Sequence, residues 1–540
     1  YQGPRVAKLR RQPFTLTGPW PRQAARCPRA RSMIKCSRLW YGPPEPDPHR
    51  DLSAGGSPVG RTRGLDLVPK EMMKNYVNPW RTEMQLALLA LLVLLLGLTP
   101  YPRALTAALR QAEAQATSGE YSAAVEWFRQ ASELDPESAL PWIRMGEVFL
   151  LQGQFVPATI AFLEAEQREG AVEAVLGLGE SRAGDGDWSF AISEWLRALA
   201  LAPDDPRVYV ALGRASIALA QFDQAETYLL RALDLQPSRE DSATAHALLG
   251  RLWIGTRPDA AEPAFRQAGD DDMLAVLSAV DAEPSPARQA LLWGIAFLQR
   301  DELTLARHHL ERAVALAPGN AEPLAYLAHT LDEQGETVAA RELLEQALEL
   351  DGDSTLVHYF LGTHHRLVGN WDEALDALWQ ALLSDPDNAA LRAEMGETLA
   401  GQGDYAAAEE WFTGAVSAEP EDVGFHFMLV HFYLDHFYRV ADGGVPAAQV
   451  LVEMAPDDAR AHDLLGWAYH LSGRHEESLT ALGEALDRDP DLASAHFHLG
   501  SVYVTLGQHD LARYHLLRAS DLDTDGYYRD RAEMILTGLE

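Results

Sequence analysis

The chain has 540 residues, 45 Lys+Arg against 79 Asp+Glu for a formal net charge of −34, 47% hydrophobic residues and two cysteines. That composition excludes a collagen, a disulfide-built miniprotein and a wholly disordered chain, and the acidity argues against broad nucleic-acid binding, which needs a basic footprint. The charge is split: residues 1–83 hold 16 basic and 6 acidic residues, net +10, whereas residues 84–540 hold 29 and 73, net −44, and no lysine follows Lys74.

Residues 1–83 are rich in Pro, Arg and Gly, with Pro43-Pro44-Glu45-Pro46-Asp47-Pro48 and Gly55-Gly56-Ser57-Pro58, and carry no sustained helical or alternating period. Proline at this density breaks helices and central strands, and the scattered apolar residues do not offset chain entropy. The expectation is a disordered basic tail, or sequence outside the mature protein. A chain that starts at Tyr1 rather than Met also leaves a longer coding sequence open. Cys27 and Cys36, nine apart, make no zinc-binding spacing.

From Leu86 to Leu98 the sequence reads LALLALLVLLLGL, thirteen uncharged residues. As helix they rise only about 20 Å, short of the roughly 30 Å hydrocarbon core, and residues 84–101 make a marginal span with Trp80 and Tyr101 as flanking anchors. Two readings follow: a transmembrane anchor, or the h-region of a signal peptide starting at Met72 or Met73. With Lys74 and Arg81 before the run, either sends the rest of the chain out of the cytoplasm; a cytoplasmic protein is the alternative.

Beyond residue 101 one pattern recurs. Proline or turn glycine falls at Pro136, Pro203, Pro237, Pro318, Gly352, Pro386, Pro420, Pro456 and Pro490, mostly 34 residues apart. Inside the units, Leu-Gly pairs recur in register, among them Leu178-Gly179, Leu212-Gly213, Leu361-Gly362, Leu465-Gly466 and Leu499-Gly500. Each is followed by a turn such as Gly369-Asn370-Trp371 or Gly403-Asp404-Tyr405, a second amphipathic stretch, and a stop such as Asp487-Arg488-Asp489-Pro490. Such a period marks stacked supersecondary units, and a glycine in mid-helix lets two helices approach closely.

The pattern resembles the tetratricopeptide repeat family. Its Trp, Leu, Gly, Tyr, Ala, Phe, Ala and Pro offsets are met by Trp142, Met145, Gly146, Phe149, Ala158, Phe162 and Ala165 in one unit. They are met by His462, Leu465, Gly466, Tyr469, Ser478, Leu482, Ala485 and Pro490 in another, and by His496, Leu499, Gly500, Tyr503, Ala512, Leu516 and Ala519 in the last complete one. The resemblance implies an all-α superhelical solenoid of about twelve helix pairs over residues 102–524. Residues 102–256 form a first segment of the array, 257–283 an irregular insert with one short helix, and 284–524 a second segment. Residues 525–540 form a capping helix that gives Arg529, Arg531 and Glu533 to solvent. In the family's manner the first helix of each pair lines a concave groove.

Histidine is the most tempting signal for chemistry, with ten of the 18 lying between His426 and His515. Yet His246, His358, His426, His462 and His496 all occupy the slot the family gives to Trp, which reads as packing. No HExxH, CxxC, phosphate-binding glycine loop or G-x-S-x-G occurs, so no catalytic residue, metal ligand or cofactor is expected. The resemblance implies groove positions at His329, Tyr359, Arg366, Glu397, Phe427, His431, Asp463, Trp467 and His470, of which Phe427, His431, Trp467 and His470 form the most distinctive group. Aromatic rings with polar tips suit peptide recognition. The expected function is therefore a non-enzymatic scaffold for protein or peptide partners of basic character, with no nucleic acid. The alternatives are an accessory region of a larger enzyme, such as a glycosyltransferase, and a structural assembly subunit.

Overall fold

The structure is a computed structural model and describes residues 100–168 and 171–539. Among these residues there are twenty-six α-helices and no strand. The basic tail and the apolar run expected to be an anchor or signal peptide lie outside the described residues. Among the described residues, no helix is long and apolar enough to cross a membrane.

Twelve antiparallel helix pairs follow one another. The first five are α1 (Pro100–Thr117) with α2 (Tyr121–Leu134), α3 (Leu140–Leu151) with α4 (Phe155–Glu166), α5 (Ala171–Gly184) with α6 (Trp188–Leu201), α7 (Pro206–Ala218) with α8 (Phe222–Asp234), and α9 (Arg239–Trp253) with α10 (Pro258–Ala268). A single helix, α11 (Asp271–Asp281), intervenes. Then come α12 (Pro286–Leu298) with α13 (Leu303–Leu316), α14 (Ala321–Glu333) with α15 (Thr337–Leu350), α16 (Thr355–Leu367) with α17 (Trp371–Ser384), and α18 (Ala389–Gln402) with α19 (Tyr405–Ala418). The last three pairs are α20 (Val423–Asp435) with α21 (Val445–Met454), α22 (Ala459–Leu471) with α23 (His475–Arg488), and α24 (Ala493–Thr505) with α25 (His509–Leu522), closed by α26 (Tyr527–Gly538).

Local chemistry sets the period. First helices start on side-chain caps: Asp205 accepts from Arg207 N, Asn388 from Leu391 N and Asp458 from Arg460 N, each satisfying one of the free N–H groups of a first turn. Within a pair the glycine admits its neighbour: a Cβ on Gly466 would sit 2.5 Å from Leu482 Cγ and 3.1 Å from Leu482 N. Fully buried alanines such as Ala374 and Ala381 let α17 close on α16 from the other side. The turn between the two helices usually holds a residue in the left-handed region, as at Gly369, Gly403, Gly473 and Gly507. At the tenth pair that residue is Phe437, with φ +50°, a conformation that costs a side-chain-bearing residue about 1–2 kcal/mol.

The histidines in the Trp slot serve the fold. Nε2 of His358, His426, His462 and His496 lies 2.9–3.1 Å from the carbonyl oxygen of Gly352, Pro420, Pro456 and Pro490, six residues earlier in each case. A carbonyl only accepts, so each ring donates from Nε2. Tyr209 and Arg392, in the same slot of other pairs, donate to the carbonyls of Pro203 and Pro386. In these six pairs the slot holds a large side chain with a donor at its tip, which ties the first helix to the turn that precedes it.

The region 257–283, expected to be irregular with one short helix, holds two. Pro258 takes the first position of α10, where its missing N–H costs nothing, and Pro263 lies on that helix's exposed side. The fifth pair is thus complete to Ala268, and the added element is α11. There the array turns a corner. Arg251, on α9, is bonded to Asp270 at 3.2 Å and to Glu302 at 3.1 Å. Arg312 Nη1 donates to Gly255 O at 2.9 Å, Thr304 Oγ1 to Ala218 O at 3.3 Å, and the His308 ring meets Phe222 edge-on at 4.7 Å. These contacts bring the second helix of the sixth pair against the fourth and fifth pairs.

The ends also meet. Asp521 on α25 is buried and accepts from Ser122 N at 2.9 Å, Ser122 Oγ at 2.6 Å and Gln152 Nε2 at 3.4 Å. Arg518 Nη1 donates to Gly119 O at 2.9 Å, and Arg529 donates to the carbonyls of Gln152 and Asp523. Arg529, expected on a solvent face, is therefore only 9% exposed, because it spans from the capping helix to the second pair.

Candidate functional site

The residues expected to line the groove lie on the first helices of six successive pairs, α14, α16, α18, α20, α22 and α24, once His498 and Phe497 of the last are added. His329 (α14) stacks on Phe360 at 4.9 Å, and Tyr359 (α16) lies against the same ring at 5.2 Å. Arg366 (α16) reaches Glu394 (α18) at 3.3 Å, with the Glu394 side chain 1% exposed. Glu397 (α18) is half-buried. His364, next to these, ties through Nδ1 to both carboxylate oxygens of Asp332 at 2.9 and 3.0 Å. In this half Arg366–Glu394 and His364–Asp332 tie successive first helices together.

The second half is aromatic. Phe427 (α20) carries the Arg460 guanidinium 4.9 Å above its ring. Phe427 and Trp467 (α22) pack, both half-buried, on one core cluster that includes Val430, Leu464 and Ala468. His431 Nδ1 lies 3.7 Å from Asp435, one turn further along α20. Trp467 sits between two imidazoles, His470 at 5.1 Å and 20° and His498 at 4.3 Å and 15°, both stacked. His498 is held in place by Asp463, whose Oδ1 is 2.6 Å from its Nδ1, both side chains being buried. Tyr528 of the capping helix packs edge-on to His498 at 6.0 Å and closes this end.

Asp463, Trp467 and His470 thus lie together around His498, while His329, Tyr359 and Arg366 belong to a separate patch. Asp463 is buried, 3% exposed, with Oδ1 bonded to His498, so it faces its neighbour helix and not the open groove. His498, His475 and Tyr528 were not identified from the sequence. His498 lies immediately before the Leu499-Gly500 pair, where the repeat pattern asks for no special residue. Only its distance of 35 residues from Asp463, one repeat plus one, hints at the contact.

Burial and neighbours set the charge state here. Burial, then the nearby His475 and His498, push His470 down to about 4. Burial, then His496, push His515 down to about 4. Its Nδ1 lies 2.9 Å from His496 Nδ1, and because His496 already donates from Nε2 to Pro490 O, His515 is the donor of that bond. Burial also raises the Tyr528 phenol, helped by the nearby carboxylate of Asp463. His470 and His515 are therefore held as neutral rings within an aromatic cluster. Among the described residues, no group of three or more His, Cys, Asp or Glu is arranged to hold a metal ion.

Comparison with known proteins follows this geometry. Family models described as "Tetratricopeptide repeat" match residues 297–362 and 367–426, and 105–138, 206–239 and 493–525; one described as "TPR repeat" matches 466–507. A curated relative, "Anaphase-promoting complex subunit CDC16" of Saccharomyces cerevisiae, is 23% identical over 218 residues, which is 39% of this chain. The match spans 24% of that relative's own length. Among solved structures, yeast Tom70 is 15% identical over 82% of this chain and 96% of its own, with a TM-score of 0.39. The Cut9–Hcn1 hetero-tetramer of the APC/C is 14% identical over 73% and 95%, with a TM-score of 0.35. MamA of Desulfovibrio magneticus RS-1 is 26% identical over 31% and 94%, with a TM-score of 0.28.

Proposed function

Because this chain belongs to the tetratricopeptide repeat family, we propose that it is a protein–protein interaction scaffold that holds a peptide or protein segment against the first helices of its second half. The observation that carries the reading is the Phe427–Trp467 pair. Two large rings on successive first helices remain half-buried after packing, one under Arg460 and one stiffened by stacked imidazoles. Rigid aromatic groups lose little entropy on binding and supply most of the energy of a typical hot spot. Its work is positional: shape and charge select the partner, and no bond is made or broken.

The net charge of −44 over residues 84–540 supports a partner of basic character, drawn in by long-range attraction that salt weakens. The apolar run at residues 86–98 supports tethering to, or export across, a membrane, with the repeat array beyond it. The test is affinity purification with the full chain from its native cells, against a Trp467→Ala plus His431→Ala variant whose helical content and melting are unchanged. Loss of the same partners is the expected result. Equal recovery of every partner by both proteins refutes the groove reading.

A further inference from the structure

Most of the turns within a pair hold glycine in the left-handed place; Ala220 and Asp301 are exceptions with short side chains, and the turn between α20 and α21 puts a bulky ring there. Its hydrogen bonds are those of the glycine turns: Phe437 N donates to Leu434 O and Tyr438 N to Tyr433 O. The pattern matches Gly403 N to Ala400 O and Asp404 N to Leu399 O in the pair before. The left-handed residue of this motif is usually glycine, because a Cβ there is strained. Phe437 nevertheless occupies it at φ +50°, and Arg439 follows at φ +43°. The usual compensation for a large apolar side chain is burial, but Phe437 is 71% exposed and no ring packs on it.

The turn is not loose. Tyr438 packs against Tyr405 at 5.8 Å and Phe432 at 5.7 Å. Arg439 Nη1 holds both oxygens of Glu409 at 2.8 and 2.9 Å, and Tyr433 donates to the same carboxylate at 2.6 Å. The chain then widens into a π turn, Val440–Gly444, with Gly443 so close to the Tyr433 ring that a Cβ would lie 2.6 Å from it. Every neighbour of Phe437 is pinned while Phe437 itself points to water. Strain kept without packing gain is the mark of a residue retained for something outside the fold.

We propose that this turn is a preformed docking knob, with Phe437 inserting into an apolar socket of a partner protein whose rim carries Lys or Arg. The basic rim is argued from charge: Asp435 and Asp442 flank the turn in sequence, Asp404 directly precedes Tyr405, on which Tyr438 packs, all three are exposed, and Arg439 is neutralised by Glu409. A rigid, solvent-facing aromatic needs no ordering on binding, which favours affinity. The proposal rests on the scaffold reading but uses a different surface, the turn edge rather than the groove.

The experiment places p-benzoylphenylalanine at position 437 in the full chain, in its native cells, and identifies the photo-crosslinked product by mass spectrometry. The purified partner is then titrated against wild type, Phe437→Gly, Phe437→Tyr and Trp467→Ala. Phe437→Gly is expected to weaken binding at least tenfold, as loss of a hot-spot ring does, while its unfolding midpoint rises by about 1–2 °C through relief of strain. Phe437→Tyr is expected to bind as wild type. A crosslink to lipid or to nothing, or a partner that Phe437→Gly binds unchanged, overturns the knob. A partner lost on Trp467→Ala but kept by Phe437→Gly overturns the knob alone and leaves the groove reading standing. A partner lost on Phe437→Gly but kept by Trp467→Ala supports the knob and counts against the groove.

Discussion

Replacing Arg251 by Met tests whether the corner, and not only the repeat period, holds the two halves together. Arg251 is 12% exposed at its side chain and bridges Asp270 at 3.2 Å and Glu302 at 3.1 Å, whose side chains are 20% and 15% exposed. Burial already raises the Glu302 carboxyl, and Arg251 is the main influence lowering it again. At an effective dielectric near 20, each contact contributes about 5 kcal/mol of attraction, most of it offset by desolvation. Removing the cation alone leaves two carboxylates facing one another in a poorly hydrated corner, and the net cost expected is about 3 kcal/mol. Because repeat arrays unfold in parts, the loss should be local. Hydrogen exchange of backbone amides in α9, α11 and α13 should quicken by about 10²-fold, while α22 to α25 stay protected. A triple variant, Arg251→Met with Asp270→Asn and Glu302→Gln, should recover most of the loss, since the whole network is then neutral. Exchange quickened less than about threefold, or a triple variant as fast as the single one, would refute the reasoning.

Gly466→Ala should cost about 1–3 kcal/mol, because its Cβ would press on the backbone of α23 as well as on the Leu482 side chain; thermal melting against Gly483→Ala, a helical glycine with open space around it, provides the control. Stability should fall in acid. His515 and His470 are pushed down to about 4 and His309 to about 3, each chiefly by burial, so all three fold as neutral rings. Their contribution is complete above their unfolded value of about 6.5 and drains as pH falls toward 4, the folded state binding fewer protons than the unfolded one. Urea unfolding from pH 7 to pH 4.5 should show this loss, with a shallower slope for His515→Phe. Tyr433→Phe removes one donor from Glu409 and should loosen residues 437–444, read as faster amide exchange there with the helices of the pair unchanged.

How much of this was legible in the chain itself differs by range. The 34-residue period, the mid-helix glycines and the twelve pairs follow from contacts within one unit, which local spacing records. Pro258 and Pro263 misled because proline marks both a helix break and a helix start, and only the pairing of α10 with α9 decides between them. Arg529 was misplaced for a different reason. Its burial depends on the accumulated rotation of eleven preceding pairs, which brings residue 529 to residue 152 and which no single unit encodes. Within the candidate site, Trp467 and His470 were visible from register. The bond of Asp463 to His498 was not legible, because His498 sits at a position where the pattern carries no requirement.

The meeting of Ser122 and Gln152 with Asp521, and of Arg529 with Gln152, has a topological consequence. An open spiral releases a bound chain sideways at any point along its length. An array whose first and last pairs are fastened together presents a loop of structure, and a segment lying inside it leaves only by passing end-first or by unfastening the clasp. Residence time would then be governed by the opening of a few polar bonds, among them those of Arg529, which directly follows the Tyr528 that closes the candidate site. Two partners with equal contact energy would be held for different times according to whether they have a free end.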